Sequence, residues 1–135
     1  MPSMQASRQE LRTEQDVVRA RQVVRKLAQE QGFSLVEQTK LVTASSELAR
    51  NTLIHGGGGY MDMEVLSEAD GRNGIRLRFV DQGPGIADMR LAMTDGWSSG
   101  TGLGLGLTGS RRLASEFDIQ SAPGKGTCVT IVRWK

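Results

Sequence analysis

The sequence predicts an α+β fold, a two-layer α/β sandwich with a mostly antiparallel sheet and helices on one face. Two long segments in the first half of the chain have helical periodicity. After residue 60, apolar and polar residues alternate in segments separated by polar turns, which is typical of antiparallel hairpins. Because helical and strand patterns come in mixed order, we expect one sheet covered by helices.

The composition suits one domain spanning residues 1–135, with residues 1–5 frayed. A chain of 135 residues buries enough surface to fold without cross-links. Its single cysteine, Cys128, excludes an intramolecular disulfide. The chain shows no signal-peptide pattern and no apolar run near the roughly 20 residues of a membrane span, so the cytoplasm is the expected compartment. A net charge of +2 with scattered basic residues gives little support for nucleic-acid binding.

The first half is predicted to form an edge strand over residues 6–13 and two helices. Helical periodicity begins at Asp16, and Gly32 stands where a glycine would end this first helix. Ser34 and Glu37 match a capping box that opens the second helix, which we expect to end near His55. The apolar stripe of the first helix comprises Val17, Ala20, Val24, Leu27 and Ala28.

Two hairpins are predicted in the second half. The first pairs residues 61–65 with residues 75–79 across the polar turn 67–74. The second pairs residues 117–121 with residues 127–134.

The segment between the hairpins is rich in glycine, of which the chain has 17. We expect a short helix over residues 86–94. Residues 95–106 contain too much glycine for a regular element. A further helix is expected from Leu105 to Glu116.

The second helix collects polar residues at steps of four. Glu47 and Asn51 share a face, where a carboxylate and an amide can hold a divalent cation such as Mg²⁺. A solvated polar face is the alternative, and the spacing alone favours it. Arg50 is either a salt-bridge residue or a phosphate contact. For His55, about 80° away from Glu47 around the helix, we prefer a role as partner of the helix C-terminal carbonyls over metal binding.

A second group of polar residues follows the predicted strands. Asp81, Gly83 and Gly85 form a D-x-G-x-G motif, which is either an ordinary strand-to-loop turn or a buried acceptor for the amino group of a base. Thr127 could present its hydroxyl toward a base, whereas Lys125 is interpreted as a plain turn residue.

Gly104, Gly106 and Gly109 match the spacing of a dinucleotide-binding fingerprint, but no strand of a βαβ unit precedes them, and no G-K-[ST] Walker sequence occurs. Backbone N–H groups that feed a helix N-terminus nevertheless suit a phosphate site. A mobile hinge is the other interpretation, and a lid over a nucleotide would combine both.

The order of these motifs resembles that of the Bergerat-fold ATPases, a superfamily that includes the ATP domains of gyrase, heat-shock protein 90, histidine kinases and MutL. The resemblance covers residues 34–134. Within the superfamily, "SELARN", "DQGPGI" and "GLGLGLTGSRRL" resemble the bacterial anti-sigma-type serine kinases, in particular the switch kinases of stress-signalling modules. "MTDGWSSGTGLG" is similar to the short lid of that group.

The resemblance implies ATP/ADP and Mg²⁺ as cofactors. It implies that Asn51 binds Mg²⁺ and nucleotide, that Glu47 is the general base, and that Asp81 accepts a hydrogen bond from the adenine 6-amino group. Gly83, Gly85 and Thr127 would support Asp81. A cation for the γ-phosphate would come from Arg50, Arg90 or a partner, and we favour Arg90. The triphosphate would lie along Gly102, Leu103, Gly104, Leu105 and Gly106.

The implied activity is that of an ATP-dependent serine/threonine protein kinase in a bacterial partner-switching stress response. Its substrate would be a STAS-domain antagonist protein, and on release it would activate a PP2C-type phosphatase. The alternative is a nucleotide-bound anti-sigma factor that binds a sigma factor, or another non-catalytic switch. We expect no nucleic-acid or membrane partner. Met89, Met93 and Trp97 are either a partner surface or core.

Overall fold

The computed structural model of the protein describes residues 3–85 and 103–135, with the backbone alone for residues 3–6 and 103–106. These ranges contain five strands and three helices. The strands are β1 (Ser3–Leu11), β2 (Gly59–Ser67), β3 (Asn73–Asp81), β4 (Glu116–Ser121) and β5 (Thr127–Trp134). The helices are α1 (Glu14–Glu30), α2 (Leu35–Ile54) and α3 (Leu103–Leu113).

Capping boxes start both long helices. At α2, as predicted, the Ser34 hydroxyl accepts from the Glu37 N–H at 3.1 Å, and the Glu37 carboxylate accepts from the Ser34 N–H at 3.0 Å. At α1 the same exchange joins Thr13 and Asp16. The predicted start of α1 at Asp16 was therefore late, because Asp16 is the third residue of the helix and not its first.

The five strands form one sheet in the order β1-β2-β3-β5-β4, and every neighbouring pair is antiparallel. Both predicted hairpins are present. The predicted edge strand is β1, but it runs from Ser3 to Leu11 and not over residues 6–13, so the expectation of a frayed end was wrong for residues 3–5. All three helices lie on one face of the sheet, which confirms the α+β sandwich. No helix in residues 3–85 and 103–135 has the length and apolarity needed to cross a membrane.

The core lies between the helices and the sheet. Every residue of the predicted α1 stripe is buried, and so are the alternate apolar residues of β2 and β3. The strand residues that face the helices are Met61, Met63, Val65, Ile75, Leu77 and Phe79, none more than 6% exposed. The alternation of apolar residues therefore predicted correctly which face of the sheet is covered.

The structure corrects the predicted bounds of α3, which runs from Leu103 to Leu113 and not from Leu105 to Glu116. The expectation that no regular element includes residues 103–106 was wrong. The backbone N–H groups of a helix's first turn have no acceptor within the helix. The two glycines in this turn, Gly104 and Gly106, therefore interrupt few helical hydrogen bonds. At the other end, the Ser115 N–H donates to the Val132 carbonyl at 2.8 Å, which leads the chain into β4.

Several predictions fall outside the described residues. They are the short helix over residues 86–94, the first part of the glycine-rich segment, and the roles considered for Met89, Arg90, Met93, Trp97 and Gly102.

Candidate functional site

A cavity opens between α2, α3 and the sheet. Ten described residues line it: Leu48, Asn51, Thr52, His55, Phe79, Asp81, Gly85, Leu107, Thr127 and Val129. The cavity therefore joins three of the motifs found in the sequence: the polar residues of α2, the D-x-G-x-G segment and the start of β5.

The C-terminal half of α2 supplies one wall. Asn51, Thr52 and His55 come three, four and seven residues after Leu48, so the four residues share a helix face. Leu48 is 1% exposed, and the Thr52 hydroxyl donates to the Leu48 carbonyl at 3.0 Å. Leu48 and Thr52 thus form an internally satisfied part of this wall, beside the polar side chains of Asn51 and His55.

Asn51 carries an unused buried donor. Its Nδ2 atom is buried and has no hydrogen-bond partner among the residues that the structure describes. A buried amide group without a partner costs roughly 1–3 kcal/mol. Such a group in a cavity wall indicates a polar ligand that would complete its hydrogen bonds.

His55 is the C-cap of α2, at the helix end where the sequence predicted it. Its side chain lines the same cavity as Asn51, whereas Glu47 does not line it. The relevant spacing is the four residues from Asn51, one helical turn, and not the eight from Glu47.

Glu47 and Arg50 lie outside the cavity wall. Both are exposed on the surface of α2, and neither lines the cavity. Glu47 precedes Asn51 by one helical turn. The structure therefore places the Glu47 carboxylate on the exposed surface of α2, and the roles of Glu47 and Arg50 stay predictions.

Asp81 ends β3 as a buried carboxylate that is 9% exposed. Burial raises its pKa, while hydrogen bonds from the backbone N–H groups of Gly83 and Thr127 act in the opposite direction. The Gly83 N–H donates to Asp81 Oδ1 at 2.9 Å. These two bonds fix the carboxylate and leave it further acceptor positions toward the cavity.

Two positions next to Asp81 require glycine, because the backbone there passes too close to Asp81 for a side chain to fit. A Cβ atom on Gly56 would lie 2.3 Å from the Asp81 Cγ atom, and one on Gly126 would lie 2.2 Å from the Asp81 carbonyl oxygen. Gly56 opens the four-glycine run after α2. Its role is therefore steric: the backbone after α2 passes directly against the carboxylate.

The D-x-G-x-G segment is held against the β4–β5 turn. The Gly124 N–H donates to the Pro84 carbonyl at 2.7 Å, and a Cβ atom on Gly85 would lie 2.0 Å from the Ala122 carbonyl oxygen. Asp81 and Thr127 are register partners in β3 and β5. Two motifs that are distant in sequence thus form one end of the cavity.

Helix α3 forms the opposite wall through Leu107, which is 1% exposed. The Ser110 hydroxyl donates to the Ala44 carbonyl of α2 at 3.4 Å and helps to fix the helix position. Residues 103–106 are its first turn, where backbone N–H groups lack intrahelical acceptors. This turn includes four of the five residues predicted to lie along a triphosphate.

Sequence reasoning missed the apolar part of the wall. Phe79 and Val129 stand two residues before Asp81 and two residues after Thr127, so strand alternation puts them on the same face as those polar residues. Leu48 and Thr52 follow from the helical spacing around Asn51. Only Leu107 required knowledge of how α3 packs.

A hard cation that takes most of its ligands from solvent and substrate needs few ligands from the protein. Residues 3–85 and 103–135 contain no group of three or more His, Cys, Asp or Glu side chains that could hold a metal. Mg²⁺ commonly takes one or two protein oxygens and completes its octahedron with waters and phosphates. Asn51 would offer its amide oxygen to such an ion, whereas its buried Nδ2 atom can only donate a hydrogen bond.

This fold and cavity define a small-ligand-binding α+β domain whose polar groups suit a nucleotide. The sequence matches the "Histidine kinase-, DNA gyrase B-, and HSP90-like ATPase" family over residues 36–135. The chain belongs to this family, which confirms the resemblance found in its motifs.

The relatives include regulatory kinases and anti-sigma factors. The chain is 44% identical over 122 residues to the serine/threonine-protein kinase RsbT of Bacillus subtilis (strain 168), covering 90% of this chain and 91% of that protein. It is 29% identical over 118 residues to the anti-sigma F factor of Thermoanaerobacter sp. (strain X514), covering 85% and 82%.

Solved structures share the fold at low sequence identity. The RsbU and RsbW domains of a Mycobacterium tuberculosis protein superpose with a TM-score of 0.66 at 19% identity, covering 98% of this chain and 33% of that one. This chain therefore spans about a third of that protein. The SiaB–SiaC complex from Pseudomonas aeruginosa gives a TM-score of 0.55 at 11% identity, covering 98% and 91%.

Proposed function

We propose that this protein is an ATP-dependent serine/threonine protein kinase of a bacterial partner-switching module. One observation carries the proposal: Asn51 and Asp81, from two separate motifs, line the same cavity as Leu107 of α3. The identity to RsbT over 90% of the chain supports the same conclusion. ATP is the phosphoryl donor, and ADP and a phosphoprotein are the products.

Asp81 selects adenine. Its carboxylate accepts a hydrogen bond from the 6-amino group, whereas guanine presents a carbonyl oxygen at that position. An acceptor would then face an acceptor inside a buried site. Sites of this kind discriminate between substrates by about 10⁴–10⁵.

The phosphates lie toward the first turn of α3, whose backbone N–H groups and positive helix end favour anions. Asn51 would hold Mg²⁺ through its amide oxygen, and the ion would neutralise charge on the phosphates. Gly83 and Gly85 support the base end. Gly102, Leu103, Gly104, Leu105 and Gly106 border the triphosphate, and Arg90 or Arg50 supplies a cation for the γ-phosphate.

Glu47 is the general base. The proton of the incoming serine or threonine hydroxyl passes to its carboxylate as the new oxygen–phosphorus bond forms and ADP leaves. Its exposed position on α2 suits this role, because a hydroxyl carried by another protein has to reach the site from outside.

The substrate we propose is a STAS-domain antagonist protein, with a PP2C-type phosphatase as a second partner after release. The resemblance to switch kinases supports both partners. A second candidate function is that of a nucleotide-bound anti-sigma factor. The 29% identity to an anti-sigma F factor favours this alternative.

Replacing Glu47 by Gln separates the two functions. For a kinase, phosphotransfer to purified STAS-domain proteins, followed by mass spectrometry, should fall at least about 100-fold, the usual contribution of a general base. ATP affinity should change less than three-fold, because the base does not hold the nucleotide.

Glu30→Gln is the matched control, since Glu30 is an exposed glutamate at the end of α1. It should leave both measurements unchanged. Unaltered phosphotransfer in Glu47→Gln would exclude Glu47 as the base. Absence of phosphotransfer in the wild type, with sigma-factor binding intact, would favour the anti-sigma function.

A further inference from the structure

Two hydroxyl groups meet beside the cavity, at the end of β4 and the start of β5. The Oγ atoms of Ser121 and Thr127 are 2.9 Å apart. Ser121 Oγ also lies 3.0 Å from the carbonyl oxygen of Gly126. Together these contacts fix the direction of the hydrogen bonds in the group.

The direction follows from counting protons. A carbonyl oxygen can only accept, and a serine hydroxyl has a single proton. Ser121 therefore donates to Gly126. In the contact between the two hydroxyls, Thr127 must then be the donor and Ser121 the acceptor.

Because Thr127 Oγ1 donates its proton to Ser121, it can only accept further hydrogen bonds, through its lone pairs. Thr127 lines the same cavity as Asp81, its register partner on β3. The Asp81 carboxylate is an acceptor as well, already fixed by two backbone N–H groups. The base end of the cavity thus holds two neighbouring acceptors.

We propose that Ser121 is a specificity-determining residue of the nucleotide site, because it fixes Thr127 Oγ1 as a second acceptor for the 6-amino group of adenine. That amino group has two N–H donors, one for Asp81 and one for Thr127. Ser121 touches no part of the ligand and acts as a positioning residue. The inference rests on the proposed function, since it needs a purine in this cavity.

Backbone hydrogen bonds hold the β4–β5 turn, from the Lys125 N–H to the Ala122 carbonyl at 2.9 Å and from the Gly124 N–H to the Pro84 carbonyl at 2.7 Å. Removing the Ser121 hydroxyl should therefore leave the turn in place and free the Thr127 proton to point elsewhere.

The test compares three triphosphates by calorimetry with Mg²⁺: ATP, inosine triphosphate, which carries a 6-oxo group, and purine riboside triphosphate, which carries no 6-substituent. In Ser121→Ala, ATP should bind about ten-fold more weakly, as expected for one lost hydrogen bond. Inosine triphosphate should bind more tightly, because Thr127 can now donate to its oxygen. Affinity for purine riboside triphosphate should change less than two-fold.

Thr127→Val supplies the second variant and closes a double-mutant cycle. Alone it should weaken ATP binding and leave purine riboside triphosphate unaffected. In its background, Ser121→Ala should have no further effect on the preference for ATP over inosine triphosphate. Thermal melts of each variant report folding.

Equal losses of affinity for all three triphosphates in Ser121→Ala or Thr127→Val would overturn the inference, since they would show a structural role. An unchanged preference for ATP in both variants would also overturn it. Failure of the wild type to bind any of the three ligands is a different result, because it removes the proposed function itself.

Discussion

Asp81 is the residue in which stability and ligand binding conflict most directly. Burial of a carboxylate disfavours its charged form, and this effect exceeds the support from its two backbone hydrogen bonds, so the pKa of Asp81 is raised. The folded protein therefore carries a cost at neutral pH that an ordinary strand end would not have. Recognition of a base amino group is a physical reason to retain that cost.

The raised pKa predicts how stability depends on pH. Because the pKa of Asp81 in the folded state exceeds its ordinary value near 3.8, its contribution to stability is complete below that value. The contribution is lost as the pH rises through the folded-state pKa. The difference in free energy of unfolding between wild type and Asp81→Asn should therefore shift in favour of the wild type as the pH falls from 8 to 4.

Urea denaturation at a series of pH values measures this difference. Asp118→Asn is the matched control, because Asp118 is exposed on β4 and the variant loses the same charge. A difference for Asp81→Asn that stays constant, or that shifts against the wild type on acidification, would contradict a raised pKa at Asp81.

Among the elements, α2 and α3 depend on glycine in opposite ways. Just after α2, a Cβ atom on Gly56 would overlap the Asp81 carboxylate. In α3, a Cβ atom on Gly109 would have no neighbour within 4 Å among the described residues, apart from the backbone of its own helix. The first glycine is required by packing, and the second only adds conformational freedom to the unfolded chain.

The two glycines predict opposite outcomes for the same substitution. Gly109→Ala should stabilise the protein by about 0.5–1 kcal/mol, the usual gain from alanine in a helix interior. Gly56→Ala should lower the melting temperature and weaken ATP binding by displacing Asp81. Thermal melts and calorimetry on both variants check this. A neutral Gly56→Ala would show that the chain after α2 is not constrained by the carboxylate.

Elements that depend on residues close to each other in the sequence could be predicted. The capping box of Ser34, the stripe of α1 and the alternation in β2 and β3 depend on residues within a few positions. The capping box at Thr13 was overlooked because aspartate stands where glutamate is usual. The start of α3 was missed because glycine opposes a helix locally, whereas Leu107 and Ser110 are buried in the packed structure.

The candidate site was predictable only in its polar groups. Asn51, Asp81 and Thr127 stand in recognisable motifs, and the structure brings them to one cavity. The steric role of Gly56 was not predictable, because it arises where the end of α2 meets the end of β3. The hydroxyl pair of Ser121 and Thr127 likewise depends on the register of β4 and β5.

At the scale of the whole molecule, the cavity lies between two layers, so a ligand in it touches both. Leu48, Asn51, Thr52 and His55 belong to the helical layer and its end, whereas Phe79, Thr127 and Val129 belong to the sheet. A bound nucleotide would therefore connect α2 and α3 with the ends of β3 and β5. Binding to the folded state alone should stabilise the entire domain.

Mass action gives the size of that stabilisation. At a nucleotide concentration 100 times its dissociation constant, the gain is about 2.7 kcal/mol. At roughly 3 °C for each kcal/mol in a domain of this size, the melting temperature with Mg²⁺ and ATP should rise by about 8 °C. GTP at the same concentration should give no measurable rise, because a discrimination of about 10⁴ leaves it far below its dissociation constant.

Two controls assign the shift to the proposed site. Asn51→Ala should remove most of it when Mg²⁺ is present, and it should have much less effect when EDTA replaces the metal. Lys26→Ala, on α1 and away from the cavity lining, should keep the full shift. Equal shifts with ATP and GTP would contradict base selection by Asp81. If the shift in melting temperature is unchanged in Asn51→Ala, the nucleotide binds elsewhere. The reason is that Asn51 carries the unsatisfied amide in the helical wall of this cavity.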